Sequence, residues 1–315
     1  MESIKIGVSS CLLGKEVRYN GGHSLDRYVT DTLSRYFEFV GVCPEVEAGF
    51  GIPRETMRLV GNPEAPRLVT TKTGRDYTAK MLNWAKRRVV ELEKEDLCGF
   101  IFKKNSPSSG MERVRVYTEK GHPSNRGAGL FARTFMEHFP LVPVEEDGRL
   151  NDSQLRENFI ERIFAFRRWR QLASERKSRG KIVAFHTAHK LQIMAHSVKD
   201  YREMGKLVAH AKDFDTRLLY EKYEALFMQA LALKATVKKN VNVLQHMAGY
   251  FKKLLSKDEK QELQEVISQF HEEYVPLIVP ITLFNHYIRK YGQPYLQNQY
   301  YLHPHPIELK LRNRA

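Results

Sequence analysis

Three short apolar runs in the first third of the chain each break into a loop of chemistry-bearing residues, with helix-spaced stretches between them. Ile4 to Val8 runs into Ser9-Ser10-Cys11-Leu12-Leu13-Gly14. Phe37 to Val42 runs into Cys43-Pro44-Glu45, and Gly99 to Phe102 into Lys103-Lys104-Asn105-Ser106-Pro107-Ser108-Ser109-Gly110. Helical spacing falls at Leu25, Tyr28, Val29, Leu33 and Phe37, at Met81, Leu82, Ala85, Val89 and Leu92, and again over residues 127–139. Strands alternating with helices predict a parallel sheet covered on both faces, a Rossmann-like three-layer α/β domain. Val114 to Tyr117 reads as a short fourth strand. Open parallel sheets place their chemistry at the carboxyl ends of strands, so the three loops are expected to meet on one rim.

Beyond residue 150 the pattern changes. Residues 151–170 read as a bridging helix with Phe159, Ile163, Phe166 and Trp169 in one stripe, and the polar, basic stretch 174–181 reads as a linker. From there the spacing is helical almost throughout, through Leu218, Tyr223, Leu226 and Phe227, then Val241, Leu244, Met247 and Phe251. A further helix opens at Lys257-Asp258-Glu259. The expected organisation is an α/β domain over 1–150, a bridging helix and linker over 151–180, and an all-α bundle over 181–315.

With 315 residues, 42% of them hydrophobic, the chain is long enough for two domains with real cores. Three cysteines, at 11, 43 and 98, are too few and too odd for a disulfide framework and point to a reducing compartment. The N-terminus lacks the basic and apolar regions of a signal peptide, and Pro276 and Pro280 interrupt the apolar run 275–284, so a cytoplasmic chain with no membrane partner is expected. The net charge is +14; residues 176–315 carry 23 Lys/Arg against 13 Asp/Glu, and the remainder 28 against 24. That excess is either a solvated basic surface or a means of meeting anions such as nucleic acid.

Two thiols and a carboxylate at strand ends support three readings. Thiolates are soft ligands for zinc or iron–sulfur groups. Cys11 and Cys43 with Glu45 also suit a redox or nucleophilic pair, and two small buried hydrophobes are the plain alternative. Glu47 either pairs with Glu45 or faces away. Arg18, Lys103, Lys104 and Arg113 either line a pocket for an anionic group or stay on the surface. His186 and His189, three apart, could share a helix face as metal ligands do, but with His196 they lack a His-Glu-x-x-His pattern and read as solvated or hydrogen-bonded histidines. Tyr287, Tyr291, Tyr295, Tyr300 and Tyr301, beside Arg289 and Lys290, either stack bases or tuck a tail onto the bundle.

Three segments resemble the thiouracil desulfidase (TudS-like) family. They are Ser9 to Gly14 followed by Arg18-Tyr19-Asn20-Gly21; Cys43-Pro44-Glu45 followed by Gly49 and Gly51-Ile52-Pro53-Arg54; and Phe102-Lys103 with Ser106 to Gly110. Residues 183–310 resemble the YbgA-like helical domain, for which no chemistry is assigned. The first resemblance implies a [4Fe–4S] cluster held by three cysteines, its fourth iron open to the sulfur of a thiocarbonyl. It implies that Cys11 and Cys43 are cluster ligands, that Glu45 is the acid–base residue helping water attack, and that Ser106 orients substrate or water. Where the family motif reads Ser-Pro-Ser-Cys-Gly, this chain has Ser109 at the third ligand position. Ser109 ligates weakly, or Cys98 substitutes from what should be the opposite end of the sheet, or the cluster is lost.

The expected function is removal of sulfur from thiolated pyrimidines or related thioamides, with a small thiolated base as substrate. The alternative is a non-catalytic protein that has lost its cluster and binds nucleic acid or modified nucleosides. A further expectation is that the helical domain only forms a homodimer or caps the first domain.

Overall fold

The alternation of apolar runs and helices produces a parallel sheet, joined by a second sheet that the alternation does not announce. The computed structural model describes residues 3–118 and 120–313. In chain order the strands are β1 (Ile4–Ser9), β2 (Phe37–Val42), β3 (Met57–Asn62), β4 (Ala65–Thr70), β5 (Phe100–Phe102), β6 (Val114–Tyr117), β7 (Pro123–Gly127) and β8 (Val144–Glu146). The first sheet runs β2-β1-β5-β8 with every pairing parallel, Ile4 opposite Phe37 through Ser9 opposite Val42. The second runs β4-β3-β6-β7, antiparallel except where β3 meets β6. Val114–Tyr117 therefore belongs to the second sheet, and β8 completes the first. The sequence conceals β8 because its three residues, Val144-Glu145-Glu146, include two acids, both buried.

Helices α1 (Pro44–Glu47), α2 (Thr78–Leu92) and α3 (Leu130–His138) complete this unit. The rings of Phe100 and Phe102 stack at 4.3 Å, and Phe131 and Phe135 of α3 close on them at 4.7–6.2 Å. Gly7 lies against this cluster: a Cβ there would stand 2.2 Å from the Phe100 ring, so only glycine lets β1 pass. The helix expected over 24–37 shrinks to a five-residue wide turn, Tyr28–Thr32, and a three-residue turn, Leu33–Arg35. There the hydroxyls of Thr30 and Ser34 donate to the carbonyls of Asp26 and Thr30, a side-chain alternative that competes with a regular helix.

By its own contacts the chain divides into Met1–Asp152 and Ser153–Ala315. The second unit is helical: α4 (Ser153–Ser174), α5 (Arg179–His196), α6 (Val198–Ala209), α7 (Thr216–Ala232), α8 (Val237–Gly249), α9 (Lys257–His271), α10 (Ile278–Tyr291) and α11 (Pro294–Gln297). The segment read as a bridge and linker is packed inside this unit. Trp169 of α4 stacks on Tyr223 of α7 at 5.1 Å, and Ser178 both caps α5 and bonds the Tyr220 hydroxyl. Caps set four more starts: Ser197, Asp215 and Thr236 accept from the first-turn amides of α6, α7 and α8, and Ser256 with Glu259 forms a capping box on α9. Among the described residues no helix is long and apolar enough to cross a membrane.

Candidate functional site

β1 has its parallel neighbours on opposite sides, β2 and β5, so the chain reverses its direction of winding there. Ligand crevices form at such switch points, beyond the carboxyl ends of the strands. Cys11 follows β1 in a tight turn that leaves through Gly14 at φ +83°. Cys43 stands between β2 and α1, with Pro44 at the first helical position. The amide of Lys103, just past β5, donates to Ser9 Oγ at 3.0 Å and ties the third loop to the end of β1. These loops enclose a cavity of about 400 Å³ lined in part by Cys11, Cys43, Glu45, Arg54, Ser106 and Ser109.

Glu45 is held from behind. The fully buried Ser108 donates its hydroxyl to Glu45 Oε1, and Arg54 Nη2 lies 3.8 Å from Oε2. Arg54 is itself placed by donating Nη1 to the Val17 carbonyl at 3.0 Å. With the single Ser108 proton on Glu45, the 3.0 Å contact between the Ser106 and Ser108 hydroxyls must be donated by Ser106. Ser106 Oγ in turn accepts from the amides of Ser108, at 3.3 Å, and Ser109, at 3.0 Å. The result is a directed line, Ser106 to Ser108 to Glu45, ending on the carboxylate. Ser106 lines the cavity, but its oxygen is engaged in organising the loop. The motif resemblance named Ser106 and gave Ser108 no role; the contact of Ser108 with Glu45 arises only in the folded chain.

Glu146 at the end of β8 and Asp147 after it anchor the same loop. Asp147 accepts from Lys104 N at 2.7 Å and pairs with Lys103 Nζ, while Glu146 accepts from Met111 N at 2.7 Å. Burial raises the Glu146 pKa above the usual carboxylate range. Gly129, at the start of α3, presses on the loop backbone: a Cβ there would stand 2.4 Å from the Ser108 carbonyl carbon. Position 109 is thus carried on a braced segment.

Burial pushes the Cys11 thiol up to about 11. Burial, then the adjacent Glu45 carboxylate, pushes Cys43 up to about 12; its Sγ lies 3.7 Å from Glu45 Oε2. Alkylation requires thiolate, so at pH 8 the metal-free protein should label at Cys11 roughly 100-fold more slowly than an ordinary thiol, and at Cys43 more slowly still. Iodoacetamide time courses read by mass spectrometry check this; labelling at free-cysteine rates contradicts it. Cys98 is elsewhere. It precedes β5, its amide donates to Lys5 O at 2.8 Å at the start of β1, and its Sγ lies 3.8 Å from Asp96 O, at the amino end of the sheet.

Other candidates separate clearly. Arg18, Lys103 and Lys104 line the cavity and Arg113 does not. Glu47 turns away, accepting from Cys43 N at 2.8 Å and pairing with Arg88 at 3.0 Å. In the helical unit His186 Nδ1 meets Tyr223 OH at 3.2 Å. His189 donates Nδ1–H to Phe185 O at 2.7 Å and accepts from Arg168 Nε at 3.2 Å. His196 donates Nδ1–H to Leu233 O. Tyr301 is buried on Asn240, and Tyr287 and Tyr291 bond Glu262 and Glu259, so these rings pack the bundle.

Comparison with known proteins divides the chain similarly. The family described as 2-thiouracil desulfurase matches residues 6–147, and a family described as a protein of unknown function, DUF1722, matches residues 190–306. The uncharacterized protein YbgA of Escherichia coli (strain K12) is 28% identical over 165 residues, covering 52% of this chain and 98% of YbgA. The uncharacterized protein YbbK of Bacillus subtilis (strain 168) is 32% identical over 150 residues, covering 46% of this chain and 97% of YbbK. A solved [4Fe–4S]-dependent thiouracil desulfidase, TudS, matches at 27% identity with a TM-score of 0.39, over 47% of this chain and 94% of its own.

Proposed function

Because the N-terminal unit of this chain belongs to the 2-thiouracil desulfurase family, we propose that its cavity takes a thiolated pyrimidine or a related thioamide and that its chemistry exchanges C=S for C=O with water. One observation carries the reading: Glu45, oriented by Ser108 and Arg54, faces the same cavity as Cys11 and Cys43.

A cluster held by three thiolates does not fit these residues. The cavity offers two thiols, at Cys11 and Cys43, and a hydroxyl at Ser109; Cys98 lies at the far end of the sheet. Among the described residues no three His, Cys, Asp or Glu side chains stand together as metal ligands.

The protein's own groups account for the proton movements. Water oxygen adds to the thiocarbonyl carbon as Glu45 takes one of its protons. The C–S bond then breaks, and sulfur leaves as hydrogen sulfide carrying that proton and the second proton of the water. The balance is water and thioamide in, amide and hydrogen sulfide out, with no reductant. Ser108 and Arg54 hold Glu45 at the reacting carbon, and Ser106 holds Ser108.

Titration of the full chain with 2-thiouracil, followed by calorimetry, tests the reading. Saturable one-to-one binding is expected, weakened at least tenfold by Thr56→Trp, which places an indole at the exposed cavity wall. Absence of saturable binding, or equal binding by that variant, overturns it.

A further inference from the structure

We infer that this chain binds its thiolated ligand in a pocket whose cluster cradle is complete in backbone and lacks one sulfur atom, so that the protein does not retain an iron–sulfur cluster until Ser109 becomes a thiol. The inference rests on the thio-base reading of the same cavity and adds a statement about the metal chemistry of this particular chain.

The frame for a third ligand is present. Ser109 is 3% exposed and lines the cavity with Cys11 and Cys43. Its amide is fixed on Ser106 Oγ at 3.0 Å, Gly110 N donates to Ser106 O at 2.8 Å, and Gly129 N donates to Gly110 O at 2.7 Å. The close approach of Gly129 to the Ser108 backbone, and the Glu146 carboxylate on Met111 N, prevent the segment from sliding. This is the bracing a fixed ligand needs. An ordinary surface loop, with mobile backbone and solvated side chains, would not need it.

The ligand atom is what fails. Iron in a sulfide cluster takes soft thiolate donors. A serine oxygen is hard, and its hydroxyl holds its proton nearly as firmly as water does, against a free thiol pKa of about 8.5. Two thiolates and a neutral hydroxyl therefore leave the cluster with two firm attachments instead of three. Cys98 cannot supply the third: it precedes β5, whereas the cavity lies beyond the other end of that strand, and its backbone is fixed there by the bond to Lys5 O. Serine to cysteine exchanges one atom for another without altering the branching of the side chain, so a braced backbone should accept it.

The test is anaerobic reconstitution of the full chain with ferrous iron and sulfide, followed by desalting and measurement of iron, acid-labile sulfide and charge-transfer absorbance. Ser109→Cys is expected to retain about four irons per chain, and the parent at least tenfold less. Cys98→Ser should leave iron retention unchanged in both backgrounds. Equal retention by the parent overturns the inference. So does failure of Ser109→Cys to retain iron while its 2-thiouracil binding shows an intact cavity, and so does loss of iron on Cys98→Ser. Calorimetric binding of 2-thiouracil, measured on the same samples before iron is added, separates failure of this inference from failure of the thio-base reading.

Discussion

In the parent chain, Glu45→Gln should lower sulfide release from 2-thiouracil by roughly 100- to 10,000-fold while changing 2-thiouracil affinity by no more than about threefold. Glutamine keeps the size of the side chain and still accepts from Ser108, so the arrangement around Oε1 survives. The lost element is the basic oxygen near Arg54 that receives a proton from attacking water. A group acting only through packing would lose affinity and stability together. A group carrying the proton loses turnover alone, and the separation between the two effects is the informative quantity. Ser108→Ala, which frees Glu45 to rotate, should fall between parent and Glu45→Gln. Undiminished turnover in Glu45→Gln, measured as uracil and sulfide formed together, would remove the carboxylate from the mechanism.

The second large effect is acid lability of the helical unit. His186 is buried beside Tyr223; its burial, then the charge of Lys190, depresses it to about 4. Burial, then the Arg168 guanidinium, lowers His189 well below the ordinary histidine value of 6.5. Both are neutral in the fold and take up protons in the unfolded chain once pH falls below about 6.5. Unfolding therefore binds protons, and stability present in full above pH 6.5 is lost progressively as pH falls towards 4. For His186 alone the separation corresponds to about 3 kcal/mol. The expected result is a steep fall in hydrogen-exchange protection of α5 and α7 between pH 6.5 and 4.5, beyond the intrinsic pH dependence of exchange. His186→Asn should flatten that fall. A thermal midpoint constant across this range would contradict the assignment.

Much of the fold is written in local pattern. β1 and β2 are apolar runs with sharp loop punctuation, and α2 carries a buried stripe at Met81, Ala85, Val89 and Leu92. The second sheet is harder to see. In β3 and β4 the strand residues are interrupted by Arg58, Pro66 and Arg67, and only the Gly61-Asn62-Pro63-Glu64 turn marks the hairpin. β8 is invisible because two buried acids, Glu145 and Glu146, replace the apolar run; Glu146, with Asp147 just after the strand, holds the loop over residues 103–112, a contact more than thirty residues away in sequence. The line through Ser106 and Ser108 to Glu45 joins residues 63 positions apart at its last step, and no spacing rule reaches that far.

Residue order alone settled which chemical groups this protein owns and that three of its loops follow apolar strands, because strand period and loop composition are local properties of the chain. Order alone also placed an oxygen at 109, whatever the fold does. Tertiary structure decided which groups meet. It brought Cys11, Cys43, Glu45 and Ser109 to one cavity, set Ser108 behind the carboxylate, turned Glu47 outward and left Cys98 at the far end of the sheet. Those outcomes depend on strand order and on long-range hydrogen bonds, which arise when the sheet closes around β1.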